Sequence, residues 1–216
     1  MKRIGVVAAV YGALGPAKAC FQKRWPEVQT VDLYDEYLYQ LYHRENRITD
    51  EMYVRVRRLL QLGADSGVDG LLFSGSLWTP CVKACRDDFA IPVLAAYECL
   101  IDKVITSPRD SRLALLATEP GTITSFERDF SEACAGKLAL KPVYIDNAMS
   151  LLGAGNRLAH DELVIEAGQS LTESDVILLA QYSMESVAER LSQATGKTVY
   201  GSLGCAADRL KSLIVG

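Results

Sequence analysis

The run Leu71-Leu72-Phe73-Ser74-Gly75-Ser76 is echoed further along the chain by Leu178-Leu179-Ala180-Gln181-Tyr182-Ser183. Each run is an apolar segment that ends in a small polar turn, which is the pattern of a buried strand leading into a helix. Ile91 lies 15 residues after Ser76 and Thr198 lies 15 residues after Ser183, so a second apolar segment follows at the same spacing. This repeat predicts two similar α/β units within one chain.

Short apolar runs predict eight strands, and amphipathic patterns predict helices between most of them. The predicted strands are residues 4–10, 28–33, 69–73, 92–96, 112–118, 138–145, 175–180 and 198–201. The predicted helices are residues 15–25, 50–66, 77–88, 122–135, 157–171 and 184–194. Alternation of this kind is typical of parallel sheets whose two faces are covered by helices. We therefore expect an α/β fold with two pseudo-symmetric halves, each a short parallel sheet flanked by helices, and a cleft between them.

The break Ser107-Pro108-Arg109-Asp110 predicts the boundary between the halves. The first half then covers residues 1–107 and the second covers residues 108–199, while residues 200–216 are expected to pack back onto the first. The tyrosine-rich stretch 34–48 is the least regular part of the chain. It is compatible with a mobile flap, with a homo-oligomer interface or with a partly exposed aromatic helix.

Composition excludes several functional classes. The 216 residues carry a net charge of −4 and contain no long basic run, which argues against nucleic acid as a partner. No apolar run approaches the roughly 20 residues that span a bilayer, so we expect no membrane partner and a cytoplasmic location.

The six cysteines form no CxxC pair, and neither histidine lies at zinc-ligand spacing from them. We therefore expect no metal, and we interpret most of the cysteines as reduced core residues. His160 lies on a predicted helix whose buried stripe is Leu163, Ala167 and Leu171, which predicts an exposed imidazole.

Ligands of open α/β sheets bind beyond the carboxyl ends of the strands, so the residues at those ends are the candidates. They are Tyr11, Ser74, Gly75, Ser76, Thr118, Thr122, Gln181, Tyr182 and Ser183. Hydroxyls and the N–H groups at helix starts suit an anion such as a carboxylate. Each Ser or Thr alone is better explained as a helix N-cap, but the whole set, converging from four strands, predicts a site for a small anionic molecule.

Three segments resemble the aspartate/glutamate/hydantoin racemase superfamily, whose relatives include maleate isomerases and arylmalonate decarboxylases. They are Val68 to Ser76 followed by Ile91-Pro92-Val93, Leu113 to Thr118 with Gly121-Thr122, and Asp175 to Ala180 before the turn at Gln181. The resemblance implies two pseudo-symmetric α/β halves, no cofactor, and an active site in the cleft between them.

The resemblance also implies a cysteine at the end of the central strand in each half, one to remove the α-proton and one to return it. In this sequence those positions align with Ser74 and Gln181. A serine without a base is a poor proton acceptor and an amide does not exchange protons usefully. Cys81 and Cys205 lie beyond the strand ends and are interpreted as packing residues.

Two functions remain open. The first is a cofactor-independent isomerase or lyase for a small carboxylate or amino-acid-like substrate, with Tyr11 or Tyr182 supplying a proton. The second is a non-catalytic carboxylate-binding or regulatory protein. A serine hydrolase ranks last, because the chain has no Gly-x-Ser-x-Gly elbow and no histidine next to a strand end.

Overall fold

The computed structural model describes residues 1–108 and 111–216, and within them the chain forms two compact units. The first unit comprises Met1–Ala96 and Ala206–Gly216, and the second comprises Tyr97–Cys205. Each unit contains one four-stranded parallel sheet flanked by helices, which confirms the predicted α/β class. In the described part of the chain no helix is long and apolar enough to cross a membrane.

The strands are β1 (Arg3–Ala8), β2 (Gln29–Tyr34), β3 (Gly70–Ser74), β4 (Val93–Leu94), β5 (Arg112–Ala117), β6 (Ala139–Tyr144), β7 (Val176–Leu179) and β8 (Thr198–Gly201). The helices are α1 (Leu14–Arg24), α2 (Glu36–Glu45), α3 (Asp50–Asp65), α4 (Thr79–Cys85), α5 (Glu98–Val104), α6 (Pro120–Cys134), α7 (Ala148–Gly153), α8 (Arg157–Gln169), α9 (Ala188–Thr195) and α10 (Ser202–Val215). Short 3-10 segments cover Tyr11–Ala13, Ser76–Trp78, Arg86–Asp88 and Tyr182–Val187.

The two sheets have the same strand order, β2-β1-β3-β4 in the first unit and β6-β5-β7-β8 in the second. The inner strands β1, β3, β5 and β7 are almost wholly buried, because helices cover both of their faces. The edge strands β2 and β6 are mostly exposed or half-buried. Pro142 pairs with Leu115 within β6, a position that an edge strand tolerates because one side of it forms no ladder.

At the amino end of each sheet an aspartate exchanges two hydrogen bonds with the backbone of an arginine, an arrangement that we call the aspartate latch. Asp69 accepts a hydrogen bond from the N–H of Arg3 (2.8 Å) and donates its own N–H to the Arg3 carbonyl (2.7 Å). Asp175 makes the same exchange with Arg112, at 2.9 and 2.8 Å. Arg112 also donates through its guanidinium, and these hydrogen bonds lower the pKa of Asp175 to about 2.

The latches fix the register of the repeat. The residue after Asp69 pairs with Ile4 in the sheet, and the residue after Asp175 pairs with Leu113. Gly70 therefore corresponds to Val176, and Leu72 rather than Leu71 corresponds to Leu178. The structure shows the repeat that the sequence predicts, but displaced by one residue, which in a strand moves each side chain to the opposite face.

The boundary between the units differs from the prediction. The sequence places it at residues 107 and 108, whereas the structure places it after Ala96, because α5 packs through Leu100 and Val104 into the hydrophobic core of the second unit. Arg109 and Asp110 of the predicted break lie outside the described residues. At the other end β8 belongs to the second sheet, and the chain joins the first unit from Ala206, within α10.

The tyrosine-rich stretch forms α2, which matches the third of the predicted alternatives. Leu38 and Leu41 are buried in the core of the first unit, while Tyr37 is exposed. The short helices α5 and α7 and the long helix α10 were not among the predicted helices.

Candidate functional site

The first unit places its predicted residues at the carboxyl ends of β1 and β3. Ser74 is the last residue of β3, and Ser76 begins the 3-10 segment that follows; both are buried. Gly75 between them has φ +111°, and a Cβ there would lie 2.9 Å from Cδ1 of Trp78, so only glycine fits without strain. Tyr11 is largely exposed, and its ring meets that of Tyr34 edge to face at 5.7 Å between centroids.

The second unit brings Thr118 and Gln181 together, because β5 and β7 are hydrogen-bonded neighbours that end side by side. The backbone N–H of Thr118 donates to Oε1 of Gln181 at 3.0 Å. Since that N–H can only donate, the bond fixes the amide orientation and makes Nε2 of Gln181 the free donor end. Nε2 is buried and has no hydrogen-bond partner among the described residues.

Two hydroxyls of the same region are also buried and without a partner among the described residues. They are Oγ1 of Thr118 and Oγ of Ser183. The helix α6 starts two residues after Thr118, with no acidic residue in its first turn and no side-chain cap. Hydroxyls, an amide NH₂ and a helix N-terminus can all donate hydrogen bonds, so this end of the sheet offers an anion several donors.

Thr122 and Tyr182 stand beside this group. Thr122 lies in the first turn of α6, and Tyr182 is the first residue of the 3-10 segment after Gln181. Both side chains are almost fully buried. The second unit therefore gathers Thr118, Gln181 and the three other predicted residues of its half at the ends of two adjacent strands.

The corrected register changes which residues correspond between the units. The N–H of Trp78 bonds to the Gly75 carbonyl and the N–H of Met184 to the Gln181 carbonyl, both at 3.1 Å. Gly75 thus corresponds to Gln181, and Ser74 corresponds to Ala180. The sequence pairs Ser74 with Gln181 because two apolar runs match almost equally well at either offset.

All six cysteines lie within helices of the described structure. Burial raises the pKa of Cys81 to about 12, and it also raises the pKa of Cys85 and Cys134. Such thiols stay protonated at neutral pH and are poor bases. Within the described residues, no group of three His, Cys, Asp or Glu side chains is arranged to hold a metal ion.

His160 corrects a prediction. The sequence predicts an exposed imidazole, but the residue is fully buried in the first turn of α8, on the same face as Val164 and Gly168. The sequence predicts a buried stripe of Leu163, Ala167 and Leu171, whereas the buried face of the helix carries a polar pair. Nδ1 of His160 lies 2.7 Å from Oδ1 of Asp161, which is also buried.

The solved structures that superpose on this chain include several racemases. Allantoin racemase from Klebsiella pneumoniae superposes with a TM-score of 0.77 at 19% identity, covering 100% of this chain and 88% of that one. Glutamate racemase isoform RacE1 from Bacillus anthracis gives 0.74 at 15% identity, with 99% and 82% covered. Picrophilus torridus aspartate racemase gives 0.70 at 14% identity, with 98% and 94% covered. These likenesses define the class of fold.

The sequence itself gives the family. The family model described as Asp/Glu/Hydantoin racemase matches residues 39–210, and the chain belongs to that family. No curated protein sequence matches the chain.

Proposed function

We propose that the chain binds a small carboxylate or amino-acid-like molecule at the carboxyl ends of β5 and β7, and that it carries out cofactor-independent isomerase or lyase chemistry on it. The observation that carries the proposal is the pair Thr118 and Gln181, with buried donors at Oγ1 and Nε2 and no acceptor for either among the described residues. Burying polar groups without partners is costly, so such groups are expected to meet a ligand.

The donor set indicates the chemical class of the ligand. Thr118, Gln181 and Ser183 offer hydroxyl and amide hydrogens, and the positive end of the α6 dipole adds to them. A carboxylate supplies up to four lone-pair positions and matches this set. Gln181 binds in this proposal and transfers no proton, because an amide does not titrate usefully near neutral pH.

Proton transfer in this proposal does not use two cysteines. The positions that the resemblance gives to thiols align with Ser74 and Gln181 in the sequence and with Gly75 and Gln181 in the register of the structure; none of these residues is a cysteine, and the described cysteines lie in helices. Tyr182, which adjoins Gln181 and is buried, is our proposed proton carrier in the second unit. Tyr11, Gly75 and Ser76 of the first unit remain predicted contacts of the substrate.

The names of the structural relatives supply a panel of test compounds. Both enantiomers of aspartate, glutamate and allantoin are incubated with the protein in D₂O, and loss of the α-hydrogen is followed by proton NMR, with binding measured by calorimetry. Exchange on any member supports the proposed chemistry. Failure of every member both to bind and to exchange would overturn the proposal.

The test also decides between catalysis and simple binding. The raised pKa of Cys81 and the absence of a cysteine at any described strand end favour the second candidate, a carboxylate-binding protein without catalysis. Binding without exchange would identify that function. Gln181→Ala is expected to weaken binding, whereas Gln169→Ala, at an exposed position in α8, is the matched control.

Location and partners complete the proposal. We propose that the protein acts in the cytoplasm on a small anionic molecule, without nucleic acid, and that it is able to form a homo-oligomer.

A further inference from the structure

The 3-10 segment Tyr182–Val187 immediately follows Gln181 and carries Ser183. It is six residues long, although 3-10 helices rarely exceed three or four residues because their hydrogen-bond geometry is poor. No side chain caps its first turn. A segment of this kind needs support from outside itself to keep one conformation.

That support comes from the first turn of α8. Nη1 of Arg157 donates to the main-chain carbonyl of Ser183 at 2.7 Å. The hydroxyl of Ser186 donates to Oδ2 of Asp161 at 3.2 Å. Two residues of the 3-10 segment are thus tied to two residues that lie four apart on one helix.

Asp161 is the centre of this network. Its Oδ1 accepts from Nδ1 of His160 at 2.7 Å and lies 3.7 Å from Nη1 of Arg157, while its Oδ2 accepts from Ser186. The carboxylate is buried, so it depends on these partners for the solvation that water no longer gives. Loss of the carboxylate would remove the acceptor of Ser186 and His160 and the ion pair of Arg157 at the same time.

The Asp161 network lies at the same end of the sheet as the candidate site. In a parallel α/β sheet a connecting helix runs back against the strands, so the first turn of α8 lies near the carboxyl ends of β5 and β7. The Asp175 latch, by contrast, stands at the amino end of β7. The same unit therefore has one aspartate network at each end of its sheet.

We infer that Asp161, acting with Arg157, is a positioning residue for the site: it holds the Tyr182–Val187 segment so that Gln181 reaches the N–H of Thr118. The assignment as a site rests on the proposed function. The claim that Asp161 holds the segment does not rest on the proposed function, because it concerns the hydrogen bond between Thr118 and Gln181, which exists without a ligand.

The test compares Asp161→Asn with Asp175→Asn. Both substitutions remove one charge from an aspartate that holds an arginine, at opposite ends of the same sheet. The primary readout is the hydrogen exchange rate of the Thr118 amide by NMR, with no ligand present. We expect exchange of the Thr118 amide to be about ten-fold faster in Asp161→Asn than in the wild-type protein, because local opening of the Tyr182–Val187 segment exposes that amide. In Asp175→Asn we expect exchange of the Thr118 amide to rise no more than the loss of global stability requires, because the bond at Thr118 does not depend on Asp175.

A milder variant keeps the test decisive if Asp161→Asn does not fold. Ser186→Ala removes a single hydrogen bond to the carboxylate, and we expect about three-fold faster exchange at Thr118. Equal exchange at Thr118 in the Asp161 or Ser186 variant and in the Asp175 control would overturn the inference.

The ligand arm separates this inference from the proposed function. Calorimetry with both enantiomers of aspartate, glutamate and allantoin is repeated on the same variants. Weaker binding by Asp161→Asn than by Asp175→Asn supports both ideas. If wild-type protein binds and Asp161→Asn binds equally well while Thr118 opens, the positioning role is overturned. If wild-type protein binds no member of the panel, the proposed function fails, and the exchange rate of Thr118 alone decides whether Asp161 holds the segment.

Discussion

The buried hydroxyl of Thr118 allows fold stability and ligand binding to be separated by one substitution. Thr118→Val replaces the hydroxyl by a methyl group of similar size at a side chain that is 2% exposed. Oγ1 has no partner among the described residues, and an unsatisfied buried polar group costs about 1–3 kcal/mol. We expect the free energy of unfolding to rise by about 1 kcal/mol, which for a chain of this length raises Tm by about 2–4 °C.

The same substitution should damage binding. A hydrogen bond to a charged group contributes about 1.5–3 kcal/mol, so losing the Thr118 donor should weaken binding of a carboxylate by at least about ten-fold. We therefore expect the variant to be more stable and to bind less tightly, because the hydrogen-bond donors of a binding site lack partners until a ligand binds.

Thr79→Val is the matched control. Thr79 lies in the first unit, is fully buried, and also has an Oγ1 without a partner among the described residues. Both variants are compared by calorimetric unfolding and by binding titration with whichever panel compound binds the wild-type protein. The control should gain stability by a similar amount, because its hydroxyl is buried and lacks a described partner in the same way. A loss of stability in Thr118→Val would show that the hydroxyl is already satisfied in the fold, and unchanged binding would refute its assignment to the site.

Three further predictions concern the second unit. Lys197→Met should lower the free energy of unfolding by about 2 kcal/mol in urea denaturation, because the ammonium donates to three main-chain carbonyls in the turn after α8; an unchanged midpoint would contradict this. The folded pKa of Asp175, about 2, is below its ordinary value of 3.8, so its stabilising effect is complete above about pH 4 and is lost as the pH falls towards 2. Thermal unfolding of Asp175→Asn should therefore depend less steeply on pH in that window than the wild type, and parallel curves would refute the role of Arg112. His160 should carry a proton on Nδ1, since a carboxylate only accepts, and long-range ¹H–¹⁵N NMR should show that proton in the wild type and lose the preference for Nδ1 in Asp161→Ala, which offers no acceptor.

Much of the architecture could be predicted from the sequence, because the inner strands are buried on both faces and appear as continuous apolar runs. All eight strands lie within or close to their predicted ranges. The register could not be obtained in the same way, since an apolar run matches its copy almost equally well after a shift of one residue. The informative residues were Asp69 and Asp175, which precede β3 and β7 and each exchange two hydrogen bonds with the first residue of the neighbouring strand.

The candidate site was only partly predictable. The carboxyl-end rule finds Thr118 and Gln181, but no pattern in the sequence shows that the amide of Gln181 accepts from Thr118 and keeps its NH₂ end free. The sequence does not reveal the role of α8, because leucines lie on several sides of this helix and the pattern does not identify the buried face. The actual buried face includes His160 and Asp161, whose mutual hydrogen bond makes the burial of two polar groups tolerable.

The division of the chain has a consequence for the order in which the protein can fold during synthesis. The second unit is one continuous stretch, Tyr97–Cys205, whereas the first needs residues from both sides of it. Leu210 and Ile214 of α10 pack so closely against Gly70 that a Cβ there would lie within 3.2 Å of both side chains. The amino-terminal half of the chain therefore leaves the ribosome first and yet is completed last, with part of β3 uncovered until the final helix emerges.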